Sequence, residues 1–161
     1  VVDRMADVLL VGGLRHFLLD AGGDVRASGR REDGGSWRVG IQDPEKVGPF
    51  QDVLALDGMA VATSGRYETY LDPDRVHHHL VDPATGSSPG DARSVSVVAP
   101  SAMQADALAT AVFLMESGAA AALMDSLPRC ACLIIHRDGR QLRSARWRSA
   151  GDSPTHKART P

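Results

Sequence analysis

Asp106 and Thr110 lie four residues apart in a segment, residues 101–117, whose composition is typical of a helix. Residues with this spacing share one face of a helix, so a carboxylate and a hydroxyl would project side by side. No Lys or Arg occurs from Ser94 to Pro128, so no basic side chain close in sequence can pair with Asp106. Oxygen ligands of this kind suit a hard cation such as Mg²⁺ or Ca²⁺. The pattern therefore indicates a candidate metal site.

The two faces of this predicted helix follow from its apolar residues. The residues expected to form the stripe that packs on the core are Leu108, Ala111, Val112 and Met115. Met103 and Phe113 share the other face with Asp106 and Thr110, and few charged residues occur in this region. We therefore expect the Asp106–Thr110 face to be semi-buried, where a carboxylate needs a partner. A fully solvated face is the alternative.

Two glycine-containing turns place further polar residues at the ends of predicted strands. Gly22-Gly23 precedes Asp24, and Thr63-Ser64 precedes Gly65. Such turns present backbone N–H groups and hydroxyls that suit phosphate oxygens. Neither turn matches a Walker or dinucleotide-binding fingerprint, so plain hairpin turns remain the alternative.

Three consecutive histidines, His77 to His79, come before an Asp-Pro turn. On a strand, His77 and His79 would point to one face and His78 to the other. A zinc site would need a third ligand, and none is obvious. A single histidine that contacts a ligand or acts as an acid or base is the favoured interpretation.

The order of predicted elements is a helix, several strands, two helices and two strands. The predicted elements are a helix at 1–14, strands at 16–20 and 24–28 around Gly22-Gly23, a loop at 31–36, a strand at 37–44, two strands within 50–65 that form a hairpin at Asp57-Gly58, strands at 77–82 and 94–100, helices at 101–117 and 117–127 with Gly118 between them, and a hairpin at 130–145. This order predicts an α+β fold with a mostly antiparallel mixed sheet and helices packed on it. We expect one domain over residues 1–145 and a flexible tail over 146–161.

Composition excludes several classes of function. The chain has 161 residues, of which 43% are hydrophobic and 24% charged, and its formal net charge is −2. These values are typical of a soluble globular domain and give no surface for nucleic acid. No apolar run is long enough to span a membrane, and no signal peptide is visible, as in a cytoplasmic chain.

Five motifs in the same order and spacing resemble the C-terminal part of the ApbE-type FAD:protein FMN transferases. They are GGDVRASG (22–29), WRVGIQDP (37–44), AVATSGRYE (60–68), HLVDPATG (79–86) and VSVVAPSAMQADALAT (95–110). The resemblance implies an enzyme that moves FMN from FAD onto a Ser or Thr hydroxyl of a target flavoprotein. It also implies dependence on Mg²⁺ and release of AMP.

The resemblance implies a role for individual residues as well. Asp106 and Thr110 match metal ligands, His79 matches a residue that assists catalysis, and Leu80 matches a position that contacts FAD. To these we add the residues expected to line the flavin-nucleotide site, which are Asp24, Thr63 and Ser64.

Two departures from the family pattern leave alternatives open. Arg66 stands where the family has an acid, and we expect the N-terminal part of the family fold to be missing from this chain. A flavin-nucleotide-binding module, or a degenerate subunit without transfer activity, is therefore the alternative function. Family members are often exported and lipid-anchored, so the resemblance leaves the localisation and the acceptor protein open.

Overall fold

The computed structural model describes residues 1–42, 50–66, 80–88 and 91–151. Within these residues the chain forms three helices and eight strands. The helices are α1 (Val2–Val11), α2 (Ala102–Phe113) and α3 (Ser117–Ser126). The strands are β1 (Phe17–Ala21), β2 (Asp24–Ser28), β3 (Trp37–Ile41), β4 (Asp52–Leu56), β5 (Met59–Gly65), β6 (Ala92–Ala99), β7 (Ala131–His136) and β8 (Gln141–Arg143). None of these described helices has both the length and the apolar character needed to cross a membrane.

Six of the described strands form one sheet in the order β1-β2-β5-β6-β7-β8, and β3 and β4 form a separate hairpin. All pairings among the described strands are antiparallel. The predicted α+β fold with a mostly antiparallel sheet is confirmed. The β1–β2 hairpin turns at Gly22 and Gly23, whose φ angles of 71° and 97° suit a two-residue loop that twists with its strands.

The six-stranded sheet is covered on both faces. The helices pack on one face, and the core there contains Val95 and Val97 of β6 together with alanines of α2. The β3–β4 hairpin packs on the other face, against Val61 and Leu133. Alternate residues of the central strands therefore point into two different cores, which is why β6 and β7 are buried almost throughout.

Several predicted boundaries differ from the structure. β4 and β5 do not form a hairpin at Asp57-Gly58, because they belong to different sheets and the turn is a corner between layers. The Asp57 carboxylate accepts a hydrogen bond from the Gly29 amide at 2.9 Å and so ties this corner to the end of β2. The break between α2 and α3 lies before Gly118, because the Glu116 carboxylate caps the amides of Gly118 and Ala119. Residues 80–82 form no strand, and 77–79 lie outside the described residues.

The end of the folded part lies beyond the predicted boundary at residue 145. Trp147 is only 4% exposed and packs in the core beneath the β3–β4 hairpin. Its Nε1–H donates to Asp52 Oδ2 at 2.8 Å, and the Ser149 hydroxyl donates to the same oxygen at 2.7 Å. An indole ring buries much apolar area, and the sequence analysis gave it too little weight. Residues 152–161 of the predicted tail lie outside the described residues.

Gly29 is a position where any side chain is expected to destabilise the fold. Its φ is 64°, and an added Cβ would lie 2.2 Å from His16 Nδ1 and 2.6 Å from the Arg15 carbonyl oxygen. Gly29→Ala should lower the free energy of unfolding by about 2–4 kcal/mol, measured by urea denaturation. Gly139→Ala is the matched control, because Gly139 has a φ of 84° but open space around it. Equal losses in the two variants would contradict a steric cause at Gly29.

Asp52 is expected to make stability depend on pH. Burial raises the pKa of this carboxyl group, but hydrogen bonds from Trp147, Ser149 and the Val53 amide, with the charge of Arg143, outweigh burial and lower the pKa below 3.8. A lowered folded pKa gives a stabilisation that is present above the unfolded value and disappears as the pH falls through the folded value. Asp52→Asn should therefore cost about 2 kcal/mol near neutral pH and progressively less as the pH falls below 3.8.

Urea denaturation at several pH values measures this difference, and Glu32→Gln, at an exposed position, is the control. A cost for Asp52→Asn that does not change with pH would contradict the role of the charged carboxylate.

Candidate functional site

Small side chains let α2 lie close to the centre of the six-stranded sheet. The buried residues of this helix are Ala102, Ala105, Ala109, Val112 and Phe113. They pack against β5 and β6. An alanine projects only a methyl group, so the helix approaches the sheet more closely than it would across leucines. The middle turn, which carries Asp106 and Thr110, is thereby held beside β5.

The predicted faces of α2 are wrong in part. Ala111 and Met115 of the predicted core stripe are exposed. Met103 and Asp106 of the face predicted to be semi-buried are exposed as well. The prediction gave most weight to large side chains, whereas the helix turns its alanines to the sheet. Thr110 is half-buried. Asp106 is exposed, so burial does not require its carboxylate to have a partner. The case for Asp106 as a ligand therefore depends on its neighbours.

Ser64 of β5 and Thr110 of α2 meet across the interface between sheet and helix. Their hydroxyl oxygens are 3.0 Å apart and share a hydrogen bond, although 46 positions separate them in the sequence. Ser64 is 9% exposed, so this contact lies at the inner edge of the site. The structure thus brings together a predicted nucleotide-site residue and a predicted metal ligand.

Asp24, at the start of β2, adds a second carboxylate to this region. Burial raises its pKa, and the negative charge of Asp106 raises it further. Asp20 and Asp3 contribute in the same direction, while the amino group of Val1 opposes them. Like charges repel each other, and a cation that binds between two carboxylates favours the charged form of both.

The donor set fits a hard divalent cation only if other oxygens complete the shell. Among the described residues, no group of three His, Cys, Asp or Glu side chains lies close enough together to hold a metal ion. Asp106, Asp24, Thr110 and Ser64 offer carboxylate and hydroxyl oxygens, which are ligands that Mg²⁺ accepts. Mg²⁺ typically binds one or two carboxylates together with phosphate oxygens of a substrate, and this arrangement matches that pattern.

A cavity of about 370 Å³ opens between the β1–β2 hairpin, β5 and β3. Its lining includes Gly22, Gly23, Asp24, Val39, Gly40 and Thr63. This volume lies at the lower end of the range of small-molecule sites, about 300–1,000 Å³. The Gly23 amide donates to Asp20 Oδ1 at 3.0 Å, so this N–H group is already engaged within the turn. Asp24 belongs both to the cavity wall and to the carboxylate pair with Asp106.

Thr63 and Ser64 serve opposite faces of the sheet. Thr63 lines the cavity and shares a 2.8 Å hydrogen bond with the Ser96 hydroxyl, its partner in the β5–β6 register. Ser64 points to the helices. Because neighbouring strand residues alternate, only one of this predicted pair can contact α2.

The segment that follows the histidines is described from Leu80 onward. His79 lies outside the described residues, so its predicted catalytic role stays a prediction. Leu80 is 8% exposed and its side chain belongs to the core on the helix side. The Asp82 carboxylate accepts from the Ala84 amide at 2.9 Å and holds the turn that ends at Gly86. Arg66 directly follows β5, and its amide donates to the Arg93 carbonyl group at 3.2 Å.

Asp3 is a residue that the sequence analysis missed. Its two carboxylate oxygens accept hydrogen bonds from the Ala102 and Met103 amides, each at 2.9 Å, and Arg26 forms an ion pair with it. Burial raises the pKa of Asp3, but the two amides and the guanidinium group outweigh burial and lower it. A contact between residues 99 positions apart leaves no local signal in the sequence.

Comparison with known proteins gives a consistent result. The model of the ApbE family matches residues 1–134. A FAD:protein FMN transferase from Vibrio cholerae is 37% identical over 133 residues, which are 79% of this chain and 40% of the relative. A FAD:protein FMN transferase from Treponema pallidum is 35% identical over 156 residues, which are 90% of this chain and 43% of the relative. The chain thus spans less than half the length of these relatives.

A solved structure agrees with these relatives. The crystal structure of the ApbE protein from Thermotoga maritima superposes with a TM-score of 0.80 at 35% sequence identity. The match covers 89% of this chain and 48% of the other. The similarity therefore extends over most of the sheet and helices that position Asp24, Ser64, Asp106 and Thr110.

Asp24→Asn is expected to affect stability and cation binding in opposite directions. Removal of one of two repelling charges should raise the free energy of unfolding by about 0.5 kcal/mol, because the raised pKa marks a charge that the fold disfavours. The same change removes a candidate ligand and should weaken Mn²⁺ binding by about tenfold, measured by calorimetric titration. Asp7→Asn, on the exposed side of α1, is the control. Unchanged Mn²⁺ affinity would exclude Asp24 from the site.

Proposed function

Since the chain belongs to the ApbE family, we propose that it forms the metal- and nucleotide-binding part of an Mg²⁺-dependent FAD:protein FMN transferase. The substrates are FAD and a target flavoprotein with an acceptor Ser or Thr. The products are the flavinylated protein and AMP. Asp106 and Thr110 bind the metal ion, and Asp24, Thr63 and Leu80 contribute to the nucleotide site.

The observation that supports this proposal most strongly is the contact between Ser64 and Thr110 beside the two carboxylates Asp24 and Asp106. The cavity of about 370 Å³ lies mainly on the other face of the sheet, where Thr63 and glycines line it, and Asp24 belongs to its wall. Such a site combines oxygen ligands for a cation with room for part of a nucleotide.

The transfer step places different demands on individual residues. The acceptor oxygen forms a bond to the FMN phosphorus, the bond from that phosphorus to the AMP oxygen breaks, and the AMP carries away the electron pair of that bond. When bound, Mg²⁺ neutralises the negative charge that develops on the phosphate oxygens. The hydrogen bond between the hydroxyl groups of Ser64 and Thr110 holds the rotamer of Thr110. His79 takes the proton of the acceptor hydroxyl in this proposal.

A second candidate function is nucleotide binding without transfer by this chain alone. The specific observation is the outer face of α1, where Val8 is 67% exposed and Met5 47% exposed. Together with Leu9 and Leu19 these residues line an open apolar cavity of about 390 Å³. Because the relatives are more than twice as long as the matched part, we propose that further polypeptide of the family fold covers this face.

Two experiments test both candidates. The first is titration of FAD into the chain, with and without Mg²⁺. The second adds a target flavoprotein and separates the nucleotides by chromatography. The transferase is expected to bind FAD in an Mg²⁺-dependent manner and to release AMP in step with flavinylation. Asp106→Asn should weaken binding by at least about tenfold, whereas Asp7→Asn should not.

The outcomes separate the candidates. FAD that stays intact on the protein would support the binding module, and transfer restored by added polypeptide from a relative would support the role of the α1 face. Absence of FAD binding with and without Mg²⁺ would contradict both candidates.

A further inference from the structure

Every amide in the first turn of α2 has a hydrogen-bond acceptor, and one carboxylate of α1 accepts from two of them. The amides of Ala102 and Met103 donate to Asp3, and the Gln104 amide donates to the Ser101 hydroxyl at 3.2 Å. The Ala105 amide donates to the Ser101 carbonyl group at 3.0 Å. Helices usually satisfy these groups with local caps or water. Here a carboxylate about a hundred positions away accepts from half of them.

A carboxylate bound to two consecutive amides restrains both the position and the rotation of a helix. Its two oxygens fix two N–H directions at once, and the negative charge complements the positive end of the helix dipole. Asp3 is itself held, because its neighbour Val2 is 4% exposed and Ala6, one turn later, is fully buried. The first turn of α2 is thereby attached to a part of α1 that cannot shift freely.

Arg26 extends this connection to the strand that carries Asp24. Its guanidinium group pairs with Asp3, and both side chains are largely buried, with exposures of 20% and 23%. Arg26 lies two positions after Asp24 on β2, so the two side chains share a face of the sheet. The Asp3–Arg26 pair therefore links the strand of one candidate site carboxylate to the helix of the other.

We propose that Asp3, paired with Arg26, is a positioning residue that sets the placement of α2 so that Asp106 and Thr110 face Asp24 and Ser64. This inference deepens the proposed function and rests on it, since it concerns the same metal site. The carboxylate oxygens of Asp3 are engaged by the amides of α2 and by Arg26. It acts through the first turn of α2, with Asp106 one turn further along the helix.

Two simpler roles for Asp3 predict different results. A cap that only stabilises the fold would lower the free energy of unfolding when removed and leave the cation affinity of the folded protein unchanged. A charge that only attracts the cation would make affinity fall in Asp3→Asn and rise in Arg26→Gln, because these variants remove charges of opposite sign. A positioning pair predicts that affinity falls in both variants.

The test is a calorimetric titration of the whole chain with Mn²⁺. It compares the wild type with Asp3→Asn, Arg26→Gln and Arg26→Lys. We expect the dissociation constant for Mn²⁺ to rise about tenfold in Asp3→Asn and in Arg26→Gln. Arg26→Lys keeps the charge and should recover part of the affinity. Asp7→Asn removes one negative charge from the same helix at a side chain that is 53% exposed, and it should change affinity less than about twofold.

A second readout does not depend on the metal. The nuclear Overhauser effect between the side chains of Ser64 and Thr110 reports the proximity of β5 and α2 directly. It should weaken in Asp3→Asn and Arg26→Gln and persist in Asp7→Asn. If Asp3→Asn does not fold, Arg26→Gln and Arg26→Lys provide the same comparison.

The two readouts distinguish failure of this inference from failure of the proposed function. Wild-type affinity for Mn²⁺ and an unchanged Ser64–Thr110 Overhauser effect in both variants would overturn the positioning role. An affinity that rises in Arg26→Gln would overturn it in favour of a simple charge effect. A wild type that does not bind Mn²⁺, together with a weakened Overhauser effect in both variants, would contradict the metal site and support the positioning of α2.

Discussion

The close packing of α2 on the centre of the six-stranded sheet is the constraint on which the site depends. Three alanines of the helix face β5 and β6, and each is at most 3% exposed. This close approach permits the 3.0 Å hydrogen bond between the hydroxyl groups of Ser64 and Thr110. We expect larger residues at the alanine positions to separate helix and sheet and so to break this hydrogen bond.

The charges around α2 are arranged so that repulsion is concentrated at one place. Asp3 is neutralised by Arg26 and by the helix N-terminus, so its pKa is lowered although burial acts in the other direction. Asp24 has a raised pKa, caused first by burial and then by Asp106. Among the described residues, Asp3 is thus compensated by Arg26 and two amides, whereas the net effect of its surroundings leaves the pKa of Asp24 raised. This contrast is the physical basis for the proposed metal site.

Much of the fold and part of the site could be predicted from the sequence, since their signals are local. The order of predicted elements and turns such as Gly22-Gly23 predicted the mostly antiparallel sheet. The motifs predicted Asp106 and Thr110 as metal ligands and Asp24, Thr63 and Ser64 as residues of the nucleotide site, and the structure brings Ser64 into contact with Thr110. The buried face of α2 was not predicted correctly, because alanines carry little weight in an apolar pattern although they decide how closely a helix packs.

The interactions that the sequence analysis missed are those between distant residues. Asp3 lies in the first turn of α1, where an acid is ordinary, and only the folded chain brings it to the amides of α2. The corner at Asp57 was taken for a hairpin, because a turn sequence does not say whether its flanking strands pair with each other or enter different sheets. Trp147 was placed in a loose tail, because its partner Asp52 is 95 positions away.

The most direct test of the account is a crystal structure of the chain with FAD and Mn²⁺, in which the anomalous scattering of Mn²⁺ locates the ion. The account predicts an anomalous peak about 2.1 Å from an Asp106 carboxylate oxygen and from the Thr110 hydroxyl, with a phosphate oxygen of FAD as a further ligand. A peak elsewhere, or FAD bound away from the cavity beside Asp24 and Thr63, would contradict it.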